Sequence, residues 1–113
     1  NEMIGTLLGN FEDGRKPSRI QMGLGGGLLY SLSSMAQQLN VLSSLGLLSR
    51  SVGVATSGHQ LLSFSYHEYF RRFLCALLGN DVEHGILPDD PDLLAKTVEG
   101  ICYNNARQYF QLY

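Results

Sequence analysis

The stretch from residue 20 to residue 56, IQMGLGGGLLYSLSSMAQQLNVLSSLGLLSRSVGVAT, decides the fold. It opens on Ile20, Met22 and Leu24 alternating with Gln21 and Gly23, the period of two that marks a strand. After Gly25-Gly26-Gly27, the apolar residues Leu28, Leu32, Met35, Leu39 and Leu42 recur at helical spacing, with Gln37, Gln38 and Asn40 on the other side. This predicts an amphipathic helix ending near Gly46. Val52 and Val54 then lie in a short run between Arg50 and Thr56-Ser57-Gly58, which suits a strand covered on both faces. Strand, helix and strand at this spacing make a βαβ unit with parallel strands and a right-handed crossover.

Upstream, Met3 to Leu8 reads as a helix closed by Gly9-Asn10, with a polar loop following through Pro17. Downstream, Ser65-Tyr66-His67-Glu68 has the pattern of a capping box. The helix it predicts carries Tyr69, Phe70, Phe73, Leu74, Leu77 and Leu78 on one face, and Arg71 and Arg72 on a solvated face or subunit contact. Phe73→Ala should cost roughly 3 to 5 kcal/mol if that face is buried. The helix stops at Gly79, or at Gly85 if residues 81–84 continue the turn. Asp90 as cap and Pro91 in the first turn open a last helix with the stripe Leu94, Val98, Ile101, Cys102 and Tyr109. Tyr103, Tyr109, Phe110 and Tyr113 form a docking stripe for it.

The predicted class is α/β, helix-rich, with residues 1–113 as a single segment. Two parallel strands leave open edges and need cover on both faces. The remaining strands must come from the rest of a longer chain, from a second copy, or be dispensed with in a mainly helical packing. A first residue of Asn rather than Met fits a cut or processed chain.

The charge balance, 8 basic against 10 acidic residues, excludes nucleic acid as an expected partner, since phosphate backbones need clustered Lys and Arg. No apolar run approaches the ~20 residues that span a bilayer, so no membrane is expected. Cys75 and Cys102 sit among apolar residues, where free thiols behave as small buried hydrophobes, and a reducing cytoplasm fits them.

Chemistry has few candidates. Gly25, Gly26 and Gly27 lie between strand and helix, where backbone amides can hold an anion, but the spacing matches neither a dinucleotide fingerprint nor a phosphate loop. A connecting turn explains them as well. His59, His67 and His84 do not form a metal set, because no pair shares a helix face at i, i+4. His59 alone stands just past a strand's carboxyl end, where barrel enzymes keep their chemistry. Ser57 with His59 lacks the orienting acid and oxyanion site that a nucleophile requires. The expected ligand, if any, is an anion or sugar acid between Gly25 to Gly27 and Thr56 to His59.

Three motifs in order, Leu45-Gly46-Leu47-Leu48-Ser49-Arg50, His67-Glu68-Tyr69-Phe70-Arg71-Arg72 and Ile101-Cys102-Tyr103-Asn104-Asn105-Ala106-Arg107, resemble the carboxy-terminal region of uronate isomerases. Gly9-Asn10-Phe11 and Arg19-Ile20-Gln21-Met22-Gly23 match upstream. The resemblance implies an amidohydrolase-type (β/α)8 (TIM) barrel that interconverts an aldose acid such as D-glucuronate or D-galacturonate with its ketose. This chain would supply the last two β/α units, with strands at Arg19 to Leu24 and Arg50 to Thr56, plus the closing helices. The intact family implies a divalent metal such as zinc, held by histidines on the first strand, so no cofactor is expected in this chain. Its partner would be the missing barrel portion, or itself.

The departures fall where the resemblance puts the chemistry. A tryptophan pair and acidic loop follow the seventh strand in the family, whereas here Gly26 and Gly27 run into Leu28-Leu29-Tyr30 and the chain has no Trp. After the eighth strand the family's Asp-Ser-Arg is matched by Ser57, Gly58 and His59. A serine hydroxyl cannot replace a carboxylate base near neutral pH, and Gly and His do not restore a fixed guanidinium. Scaffold kept and site emptied suggests a decayed homologue or an altered segment, predicted inactive alone.

Overall fold

The computed structural model describes residues 2–12, 14, 19–24, 31–56, 61 and 63–112, and among these described residues apolar periodicity and capping residues produce five helices. They are α1 (Glu2–Asn10), α2 (Leu32–Leu45), α3 (Ser63–Glu83), α4 (Pro91–Glu99) and α5 (Asn105–Tyr109). A 3-10 turn at Leu48–Arg50 follows α2, and a π-helical turn at Gly100–Asn104 joins α4 to α5.

Ser31 caps α2, its hydroxyl accepting from the Ser34 amide at 3.2 Å. The helix therefore starts at Leu32, and its stripe buries Met35, Leu39 and Leu42 while Leu32 stays half exposed. Leu28 lies outside the described residues. Asp90 caps α4 as expected, its carboxylate accepting from Asp92 and Leu93 at 3.1 Å each, with Pro91 in the first turn.

Helix α3 departs from its expected start. It begins at Ser63, so Ser65 is already helical, and the Glu68 carboxylate reaches forward to Arg71 at 2.6 Å and Arg72 at 2.8 Å. Glu68 satisfies both a capping pattern and an i, i+3/i+4 ion-pair pattern, and the charged partners win. At its far end the helix runs through Gly79 to the Gly85 stop. Gly85 has φ +71°, its amide donates to Val82 at 3.0 Å and the Ile86 amide to Asp81 at 2.8 Å, a Schellman closure.

The two expected strands are not formed as strands among the described residues. Leu24 and Val54 meet in a single parallel bridge, with the Leu24 amide donating to Gly53 at 3.0 Å and the Ala55 amide to Leu24 at 2.9 Å. Three residues before Leu24 the Gln21 side chain takes the place of backbone pairing, donating to the Arg50 carbonyl at 3.0 Å and accepting from the Val52 amide at 3.2 Å. Arg50 itself belongs to the 3-10 turn. The parallel direction was legible, but two short segments do not supply the successive backbone pairs that a ladder needs.

Among the described residues, one core gathers Leu8 of α1, Leu24 of the bridge, Met35, Leu39 and Leu42 of α2, Phe70, Leu74 and Leu78 of α3, and Ile101 of the π-helical turn. Phe73 is half-buried at its edge, so the larger truncation cost does not apply to it. Cys75, expected inside, is exposed, because the buried face of α3 is set by Phe70, Leu74 and Leu78 and Cys75 falls one position past it. Cys102 is half-buried against the core. Tyr103 and Phe110 are exposed rather than docked, while the Tyr109 hydroxyl donates to the Arg19 carbonyl at 3.1 Å. Tyr113 lies outside the described residues.

Candidate functional site

The Leu24–Val54 bridge holds side by side the two stems from which the expected ligand loops depart. Gly23 and Ala55 pack so closely there that a Cβ on Gly23 would lie 2.8 Å from the Ala55 Cβ. The loop residues Gly25, Gly26, Gly27, Ser57 and His59 lie outside the described residues, as does Gly58. The structure thus brings the stems together through Leu24 and Val54.

Below the bridge, the second stem is fastened to the carboxy-terminal helices. The π-helical turn closes with the Asn105 amide on the Gly100 carbonyl. The Asn105 side chain then donates to two carbonyls, Ser49 and Ser51, at 2.8 Å each. Ser51 is buried and its hydroxyl accepts from the Gly53 amide at 3.1 Å. Gly53 has φ +74°, and a Cβ there would stand 2.5 Å from the Ile101 carbonyl oxygen. A polar cavity of about 30 Å³ between Gln21, Arg50, Asn105, Gln108 and Tyr109 lies beside this joint, room for a single water molecule.

The motif Ile101 to Arg107 was visible in the sequence, but the part played by Asn105 was not. Its signal was an amide residue in a conspicuous run, with nothing local to say which carbonyls it would meet.

His67 is half-buried on α3, and the His84 ring Nδ1 lies 2.7 Å from the Asn80 carbonyl. Among the described residues no three His, Cys, Asp or Glu side chains come together to hold a metal ion. The Arg72 and Arg71 guanidiniums lower the pKa of the exposed Glu68 below its ordinary value. Burial pushes the Cys102 thiol up, and Cys75 adds to the effect. Among the described residues no helix is long and apolar enough to cross a membrane.

The profile of the family described as Glucuronate isomerase matches residues 1–110. The chain is 53% identical over 112 residues to the uronate isomerase of Phocaeicola vulgatus, covering 98% of this chain and 24% of that protein. It is 48% identical over 110 residues to the uronate isomerase of Cellvibrio japonicus, covering 97% and 23% respectively. The chain therefore spans about a quarter of the length of the curated relatives it matches. By the extent of that match, the chain belongs to the glucuronate isomerase family.

Proposed function

We propose that this chain is the carboxy-terminal part of a uronate-isomerase (β/α)8 barrel, supplying its last two β/α units and closing helices. The observation that carries the reading is the parallel Leu24–Val54 bridge, joined through α2, in a family match covering a quarter of its relatives. Isolated parallel pairs leave donors and acceptors unpaired on both outer edges, which further barrel strands would take up. Exposed apolar side chains agree with a covering partner: Met3 is 88% exposed on α1 and Phe64 73% on α3.

The reaction of the whole protein would be aldose–ketose isomerisation of D-glucuronate or D-galacturonate, with a sugar acid facing the loops at Gly25 to Gly27 and Ser57 to His59. The divalent ion of the intact family does not fit the described residues, which offer no convergent donor set. Ser57, Gly58 and His59 occupy the positions where the resemblance sets Asp, Ser and Arg, so the carboxylate base is lacking.

The chain alone is therefore scaffold without turnover. Purified chain incubated with D-glucuronate and a zinc or manganese salt should give no ketose above a no-protein control. Ketose formation above that control would overturn the reading.

A further inference from the structure

We infer that Asn105 is a positioning residue, which sets the register of the 51–56 segment against Leu24 and so aims the stem of the loop bearing Ser57 and His59. The inference rests on the reading that this loop belongs to the sugar-acid site.

A continuous path of hydrogen bonds links the two. Asn105 Nδ2 donates to the Ser51 carbonyl, the Ser51 hydroxyl accepts from Gly53, the Gly53 carbonyl accepts from Leu24, and the Leu24 carbonyl accepts from Ala55. The second bond, to Ser49, fixes the segment from the other side of Arg50. One amide thus grips the chain at two points two residues apart, on either side of Arg50, which a single bond could not hold against sliding.

The π-helical turn is what delivers it. An extra residue in the turn rotates everything beyond it by about 100° relative to a regular helix, and such turns recur at functional sites. Asn105 is the residue that completes this turn. Gly100 packs beside it, where a Cβ would stand 3.4 Å from Asn105 Oδ1 and 3.7 Å from the Ser49 carbonyl, ordinary contact distances. The charged or titratable neighbours lining the adjoining cavity are Arg50 and Tyr109.

Asn105→Asp keeps the volume but removes both donors, placing acceptors against acceptors. Amide hydrogen exchange in the full chain should show protection at Leu24 and Ala55 falling about tenfold or more, as expected for an easier local opening after losing two bonds. Leu39 and Leu74, in the core helices, should keep theirs. Asn105→Ala, which removes both donors without adding a charge, should give a loss at the same two sites and serves if the Asp variant fails to fold. Unchanged protection at Leu24 and Ala55 would overturn the inference. So would an equal loss at all four amides, which marks general destabilisation. Ketose production by the isolated chain would sink the preceding proposal and leave this result intact, so the two failures are distinguishable.

Discussion

Gly53 faces the Ile101 carbonyl oxygen at a separation that only glycine permits: a Cβ would stand 2.5 Å from it. The same residue holds φ at +74°, in the left-handed region. Both facts come from one cause, the close seating of the second stem on the π-helical turn. Gly53→Ala should therefore cost at least about 2 kcal/mol, from the left-handed conformation and from the collision with backbone that cannot yield. Chemical denaturation measures this, and an unchanged midpoint would show that the seating is looser than described.

Core truncations should separate two neighbouring residues of α3. Leu74 is fully buried, so Leu74→Ala should cost roughly 2 to 5 kcal/mol. Phe73 is half-buried, and Phe73→Ala should cost only about 1 to 2 kcal/mol through the area it covers. Equal losses in paired denaturation curves would mean that both sides of the helix are covered.

These residues show what the sequence made legible. Periodicity located α1, α2, α3 and α4, and the Asp90-Pro91 start was placed to the residue by its cap, because such signals are local. The parallel approach of Leu24 and Val54 was legible from strand, helix and strand spacing. Its reduction to one bridge was not, since that depends on whether neighbouring strands exist. Glu68 misled because two local rules share the same residues, and only the choice of partner decides between them. Cys75 was expected inside on average behaviour, but a shift of one position around a helix moves a side chain from core to surface. The grip of Asn105 was illegible, because it depends on carbonyls more than fifty positions away. The loop residues Gly25, Gly26, Gly27, Ser57 and His59 lie outside the described residues and rest on the sequence alone.

Glu68 should titrate below its ordinary value of 4.5, held down first by Arg72 and then by Arg71. A group depressed in the folded state contributes stability above its unfolded pKa and loses it as pH falls through the folded value. The window therefore lies at and below 4.5, and the contribution is small because the carboxylate is exposed. Carboxyl-carbon NMR should give a midpoint below 4.5 that rises when Arg72 is replaced by Gln. A midpoint at or above 4.5 would show the ion pair to be absent in solution.

The two thiols should react at different rates. Cys75 is exposed, whereas Cys102 is half-buried with its thiol pushed up by burial, which lowers its thiolate fraction. Mass spectrometry after brief iodoacetamide treatment should find Cys75 alkylated first. Equal or reversed labelling would contradict the placement of these two residues.

The need for a partner surface is tested most directly by the solution mass of the isolated chain, from light scattering, with a circular-dichroism melt on the same sample. A segment with open strand edges and uncovered apolar residues should self-associate as concentration rises, and should melt broadly. A monomer that persists across concentrations and unfolds in one sharp cooperative transition would contradict the account, since it would show that these residues close their own fold.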